Sequence, residues 1–371
     1  MKTLYFTVTN DLTYDQRMIR ICGSLARAGY KVHLVGRKKV SSVPLRKEGF
    51  QQKRLFCFFQ KGKFFYLEYN LRLFFYLLFK KYDALCAIDL DTIGPLFLLK
   101  LLRRKPLVYD AHEYFTEVPE LVDRPFTKSI WEWLAQRTIP KLQNCYTVGP
   151  QLARLFEERY GAHFQVIRNV PLQKQEKEGP APITPPIKAG DQILLYQGAL
   201  NVGRGLECCL EAMTLLPDHI KLWLVGEGDL SQALRKETKR LQLDKRVHFL
   251  GFRQPIELPA ITQQAHLGLN LLENKGLSYY YSLANKCFDY IQAGLPAIHM
   301  DFPEYRALNQ EYPAFLLLHH LDANLLATTI QGILRDAKTY QRMQETCREA
   351  ALAWNWENEE QFLLEFYDAI F

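Results

Sequence analysis

A chain of 371 residues is long enough for two ordinary domains, each with its own core. Its 48% hydrophobic and 23% charged residues exclude a disordered chain, and no apolar run approaches the ~20 residues of a membrane-spanning helix. The formal charge of +7 is unevenly divided: residues 1–150 hold 25 Lys and Arg against 13 Asp and Glu, the remainder 22 against 27, so the first half is expected to face something anionic.

The eight cysteines show neither C-x-x-C nor any metal-ligand spacing and read as reduced thiols. The apolar stretch after Met1-Lys2 is only strand-length, so no secretory signal is expected and a cytoplasmic location is. Residues 4–8 form a short strand that runs into Thr9-Asn10-Asp11. A helical pattern follows over about 14–28, with Ile19, Leu25 and Ala26 on its apolar face and Gly29 as its stop. Residues 31–35 give a second strand, and strand–helix–strand with short connections opens a doubly wound parallel sheet. Ligands sit beyond the carboxyl ends of such strands, which places Asn10, Asp11, Asp15 and Arg17 at a mouth. An equal alternative has Asp11 capping and Arg17 paired with Asp15 on the surface.

Residues 37–63 carry nine cations against Glu48 alone, with Phe50, Leu55, Phe56, Phe58 and Phe59 among them. Residues 64–81 read as a helix with Glu68 and Arg72 as an i,i+4 pair, apolar most of the way round. That pattern predicts a helix packed on the sheet over most of its surface. The alternative is an aromatic and basic face resting on an anionic membrane. Nucleic acid ranks lower, because no nucleic-acid motif is present.

Strands are expected at 84–88 and 106–109, the first followed by Asp89-Leu-Asp91 and a leucine-rich helix. The second runs into Asp110-Ala-His112-Glu113, an imidazole and carboxylates just past a strand end. His112 there is either held structurally by Asp110 or shares a proton with a substrate hydroxyl. A helix over 127–143, a strand over 145–148, a helix over 151–160 and a short run over 164–167 complete the first domain. Residues 172–190, rich in proline and without periodicity, read as a linker.

The strand at 192–196 leads to Gln197-Gly198-Ala-Leu-Asn-Val-Gly203-Arg204-Gly205, a turn able to bring backbone N–H groups and a guanidinium to a diphosphate. Strands over 222–225 and 246–250 end in Gly226-Glu227-Gly228 and Gly251-Phe-Arg253, and strands over 267–272 and 295–299 complete the second core. A helix is expected over 283–293 with Ser282 as N-cap, Gly294 after its end, and Pro296 forbidding continuation. Asn285 and Lys286 at its start can form an anion site, and Asp289 one turn on can accept from sugar hydroxyls; taken alone, the stretch reads as an ordinary surface helix with one Lys and one Asp. Lys286 and Asp289 are expected to point away from the apolar face. From residue 322 the pattern is helical to the end.

The run Asn285-Lys-x-Phe-Asp-Tyr-x-x-Ala-Gly-x-Pro296, together with Asp15-x-Arg17, Tyr109-Asp-Ala-His-Glu113, Gly203-Arg-Gly205 and Gly226-Glu-Gly228 in this order, resembles retaining GT-B glycosyltransferases of family 4. Asp289 stands where the family has Glu, Tyr281 where it has a Glu that contacts the transferred sugar, and Ala199 where it has an Arg. The resemblance implies two Rossmann-like α/β domains facing a cleft: 1–171 for the acceptor, 191–353 for a nucleotide sugar, and 354–371 crossing back as a helix. It implies His112, Arg204 and Lys286 as catalytic groups. It assigns Gly198, Gly203, Gly226, Glu227, Arg253, Tyr281, Ser282, Leu283, Ala284, Asn285 and Asp289 to the donor, and Asn10, Asp15, Arg17 and Glu113 to the acceptor. Neither a metal nor a protein nucleophile is expected. The function implied is sugar transfer to a lipid-linked or saccharide acceptor in cell-envelope glycan synthesis, peripheral on the inner membrane face. A sugar-nucleotide epimerase or a non-catalytic nucleotide-sugar binder is the alternative.

Overall fold

The structure, a computed structural model, describes residues 1–118, 121, 124–173 and 184–371. Of the expected linker, residues 174–183 lie outside the described residues. The chain forms two compact units, Met1–Asn169 with Glu357–Phe371, and Val170–Trp356.

The first unit is built on a seven-stranded parallel sheet in the order β3-β2-β1-β4-β5-β6-β7. Its strands are β1 (Thr3–Thr7), β2 (Lys31–Lys38), β3 (Gln51–Phe56), β4 (Ala84–Ile88), β5 (Leu107–Ala111), β6 (Asn144–Thr147) and β7 (Gln165–Val166). Every residue of β4 and β5 is buried, Asp110 of β5 among them, as strands covered on both faces require. The winding reverses between β1 and β4, where Leu4 lies opposite both Val32 and Ala84. Sheets of this kind bind ligands beyond the carboxyl ends at that reversal. The helix Gln16–Arg27 starts there, its first turn capped by Asp15, which accepts from the Met18 amide.

β3 is absent from the sequence reading. It is the sheet edge, with only Leu55 buried, and Lys53 and Arg54 stand in it where an apolar alternation would show.

Helices Gly62–Leu78, Ile93–Arg103 and Pro125–Thr138 connect β3 to β4, β4 to β5 and β5 to β6. These crossovers run the same way across the sheet, so right-handed connection puts all three helices in one layer on one face, where they pack side by side. Gly62–Leu78 departs from the expected burial round most of its circumference. It buries one stripe, Phe65, Tyr69, Leu73 and Leu77, and the Tyr69 hydroxyl donates to the Val8 carbonyl at 2.5 Å. One sheet face covers only one side of a helix, and its opposite stripe stays exposed.

The C-terminal helix Trp356–Asp368 belongs almost wholly to this unit. Glu359 accepts from the Arg168 amide (2.8 Å) and guanidinium (3.1 Å), and Tyr367 is buried between Cys86 and Tyr146.

The second unit has six parallel strands in the order β10-β9-β8-β11-β12-β13, with the reversal between β8 and β11. They are β8 (Gln192–Gln197), β9 (Ile220–Val225), β10 (Val247–Gly251), β11 (Leu267–Asn270), β12 (Ala297–Met300) and β13 (Phe315–Leu318). β13, another edge strand, is also absent from the sequence reading; its four residues show no alternation. The helix Asn285–Gln292 sits over the reversal. Gly268 of β11 leaves room for the Tyr290 ring, since a Cβ there would lie 2.5 Å from it. The Tyr290 hydroxyl lies 3.1 Å from the Leu195 carbonyl of β8 and 3.2 Å from the Leu269 carbonyl of β11. The helix is thereby pinned across the two strands whose ends form the ligand position.

Candidate active site

The second unit gathers its polar groups at that position. Ser282 is not the N-cap: its hydroxyl donates back to the Tyr279 carbonyl (2.8 Å), closing the short helix Leu277–Tyr280. Leu283 is buried, and the next helix starts at Asn285 with Ala284, which has no capping side chain, before it. The Ala284 amide donates to the Tyr305 hydroxyl.

Lys286 differs from the expected exposed cation. It is 7% exposed, and its Nζ lies 4.0 Å from the centre of the Tyr196 ring at the end of β8. Gly198 makes the room: at φ +138°, a Cβ there would come within 3.4 Å of Lys286 Cε and Nζ. Gly226, at φ +132°, turns against Gly198, and a Cβ on it would stand 2.0 Å from the Gly198 oxygen. Gly226 is therefore required by close approach as well as by backbone conformation, and Gly198 by backbone conformation. Arg204 lies over Tyr279 at 4.7 Å, on a turn where Gly203 leaves space for the same ring.

Neither Lys286 nor Arg204 has an ion-pair partner among the described residues, and Arg204 Nε is buried without an acceptor. Burial, followed by the nearby Arg204 charge, pushes the Lys286 ammonium well below the usual lysine range, with Asp289 offsetting part of this. Asp289 is fixed by the Gln197 amide at 2.9 Å, and Gln197 in turn accepts from Thr262 at 2.9 Å. Two cations thus converge without a carboxylate paired to either. Such a site is completed by an anion, and a diphosphate fits its chemistry.

Glu227 and Arg253 lie past the ends of β9 and β10, one and two strands out from β8. Glu227 pairs with Arg235 at 3.0 Å and Arg253 with Glu257 at 3.5 Å. Tyr281 ends the short helix beside Tyr280, their rings 5.1 Å apart.

The first unit carries a second cluster at its own reversal. Arg17 is buried and pairs with Asp110, not with Asp15 on the surface. Asp15 instead accepts from the Asn10 amide at 2.6 Å and caps its helix. His112 lies between carboxylates, with Nε2 3.1 Å from Asp110 Oδ2 and Nδ1 3.6 Å from Asp89 Oδ2. Its backbone amide donates to Asp89 Oδ1 at 2.8 Å. Burial disfavours the charged imidazole, but Asp110 and Asp89 outweigh it and raise its pKa to about 9. Arg17 Nε also lies 3.0 Å from His112 Nε2, a contact available only to the neutral ring. In the imidazolium, Nε2–H turns to Asp110 and Arg17 Nε to Asp110 Oδ2 at 3.4 Å. Burial opposes ionisation of Asp110 too, yet Arg17 and His112 lower its pKa to about 2.

The sequence places Asp89 and Asp91 only between the strand at 84–88 and a leucine-rich helix. Asp89 has φ +55°, a strained position for a residue with a side chain. Asp91 accepts from Thr9 at 2.5 Å, and burial, then the Asp89 charge, raises its pKa to about 7. Glu113 is half-buried nearby and adds to that effect. Polar residues crowded at the ends of β1, β4 and β5 are the signal that marks these groups.

Among the described residues no group of three or more His, Cys, Asp or Glu is arranged to hold a metal ion, and no helix is long and apolar enough to cross a membrane.

Two doubly wound parallel sheets, each with polar groups at its reversal, define the GT-B class. The family model for glycosyltransferase family 4 matches residues 16–171, and that for glycosyl transferases group 1 matches 191–336. The chain is an enzyme, a GT-B glycosyltransferase related to these families. No curated protein matches it. Among solved structures, sucrose-phosphate synthase from Thermosynechococcus elongatus is 17% identical with TM-score 0.82, covering 100% of this chain and 99% of that one. Anabaena HepE in complex with UDP and glucose is 16% identical with TM-score 0.77 and full coverage of both chains. WaaG, a glycosyltransferase involved in lipopolysaccharide biosynthesis, is 15% identical with TM-score 0.76, covering 97% of this chain and 98% of that one.

Proposed function

We propose that the chain is a retaining hexosyltransferase. It moves a sugar from a nucleotide-sugar donor, releasing the nucleoside diphosphate, to a lipid-linked or saccharide acceptor in cell-envelope glycan synthesis, at the cytoplasmic face of the membrane. The observation that carries this reading is the pair Lys286 and Arg204, unpaired with any described carboxylate and lodged at the reversal of the second sheet. When the glycosidic bond to the donor breaks, charge grows on the departing diphosphate, and preorganised cations stabilise that charge most in the transition state. Asp289, oriented by Gln197, accepts from donor sugar hydroxyls.

The first unit holds the acceptor. His112, cationic at neutral pH, donates to a sugar or acceptor oxygen, and Arg17 and Asp110 hold its ring in place. Glu113 completes the acceptor side, and Asn10 with Asp15 shapes its rim. UDP is the first nucleotide to test, because the similar HepE structure holds UDP and glucose. Incubation of the enzyme with labelled UDP-hexose and membrane extract tests the reading. Label passing to an extractable lipid or saccharide supports it; hydrolysis or epimerisation without any acceptor contradicts it.

A further inference from the structure

The outward side of the three-helix layer in the first unit is apolar. On Gly62–Leu78 the stripe opposite the sheet is Phe64, Leu67, Leu71 and Phe75, each more than half exposed. The next helix presents Leu98, Leu101 and Leu102, and Pro125–Thr138 presents Phe126, Ile130 and Trp133. Phe126 is 80% exposed. These positions recur every three to four residues, so each helix has one apolar face. The shared layer turns all three faces the same way, away from the sheet. Apolar surface on this scale marks an interaction site.

Charge identifies the occupant. Residues 61–81, 93–105 and 124–141 hold thirteen Lys and Arg against two carboxylates, Glu68 and Glu132. Glu68 is already taken by Arg72 and by the Phe58 and Phe59 amides. A second copy docking through the same face would set these cations against their own equivalents. An anionic bilayer would attract them while taking up the apolar stripes. Arg137 lies over Trp133 at 5.7 Å, and Lys63 over Phe64 at 5.4 Å, as side chains do where an aromatic ring enters the interface and the cation remains at headgroup level.

We propose that this three-helix face is the surface by which the protein seats on an anionic lipid membrane. The proposal rests on the membrane-side acceptor reading and gives it a location other than the 37–63 segment. Two cations of that segment are tied inward: Arg54 donates to the Asp11 and Val43 carbonyls and to Thr13, and Arg37 to the Gln60 carbonyl. The helices lie in the interface by their outer faces and none crosses the bilayer.

The experiment is co-sedimentation of the full chain with phosphatidylcholine vesicles, with and without phosphatidylglycerol, alongside tryptophan quenching by bromine-labelled acyl chains. Binding is expected only with phosphatidylglycerol, weakening with salt, and with quenching that Trp133→Ser reduces. Leu71→Glu with Phe75→Glu, and separately Phe126→Ser with Ile130→Ser, should each weaken it by about tenfold or more. UDP affinity is measured on the same preparations. Retained UDP affinity with lost vesicle binding supports the face; lost UDP affinity in the parent chain strikes the donor reading and leaves the vesicle result to judge this one. Unchanged vesicle binding in both variants overturns the proposal. So does the absence of binding to any vesicle, with or without a dimer that Leu71→Glu and Phe75→Glu disperse.

Discussion

Arg17 Nη2 and Asp110 Oδ1 lie 2.9 Å apart with both side chains sealed from water, 3% and 0% exposed, joining a helix start to a strand end 93 residues away. Arg17 also donates to the Ile167 carbonyl, so it ties β5 to the chain beyond β7. Removing one partner of a buried pair strands the other, at a cost of about 3–5 kcal/mol. Arg17→Met is therefore expected to lose stability near the lower end of that range, because His112 still faces Asp110. Adding Asp110→Asn should recover part of the loss. Denaturant melts of the single and double variants read this coupling directly.

His112 and Asp110 give the fold opposite pH limits. The His112 pKa is raised to about 9, so its stabilisation is complete below the ordinary histidine value and is lost as pH rises through about 9. The Asp110 pKa is lowered to about 2, so its contribution is present above the ordinary aspartate value and is lost as pH falls toward about 2. Turnover should decline above about pH 9 as His112 loses its proton. His112→Ala should lower kcat far more than donor affinity and remove that alkaline limb. A variant that is merely less stable, with full turnover per folded molecule, would give His112 a structural role alone.

Asp91 carries the reverse linkage. Its folded pKa of about 7 exceeds its unfolded value, so the folded state holds an extra proton and stability falls as pH rises between about 4 and 7. Asp91→Asn removes that dependence. Its melting temperature should exceed the parent's at pH 8 and approach it at pH 4, measured by scanning calorimetry.

The two turn glycines should separate fold from binding. Gly226→Ala drives a Cβ to within 2.0 Å of the Gly198 oxygen, and destabilisation of roughly 1–3 kcal/mol is expected. Gly198→Ala meets Lys286 at ordinary contact distance but holds φ +138°. It should cost less stability and more nucleotide affinity. Paired melting and binding measurements on both variants check the order.

The buried strands were legible because β1, β4, β5 and β8 are continuous apolar runs between polar turns. β3 and β13 were not, because an edge strand needs neither alternation nor full burial, and β3 carries Lys53 and Arg54 instead. Asn285, Lys286 and Asp289 could be placed on one helix start from their spacing. The burial of Lys286 could not: it depends on Gly198, 88 positions earlier, and on the Tyr196 ring. Likewise the partner of Arg17 is fixed by sheet order, which sets the end of β5 beside the end of β4, and not by its neighbour Asp15. The outward stripes of the three-helix layer have helical spacing in the sequence, but whether a stripe faces core or solvent is decided by how many layers the fold stacks.

Calorimetry of nucleoside diphosphate binding tests the central claim, that Lys286 and Arg204 form the phosphate grip of the second unit. Losing either charge-assisted contact should cost roughly 1.5–3 kcal/mol, about one to two decades in affinity. Lys286 is held below its usual pKa in the free protein, so an arriving diphosphate raises it and binding at alkaline pH takes up protons. Titrations in two buffers of unlike ionisation heat should show this uptake in the parent chain and not in Lys286→Met. Weakened binding in both Lys286→Met and Arg204→Ala, with proton uptake lost only in the former, is the predicted result. Unchanged affinity in both variants with the nucleotide that the parent chain binds would contradict the account.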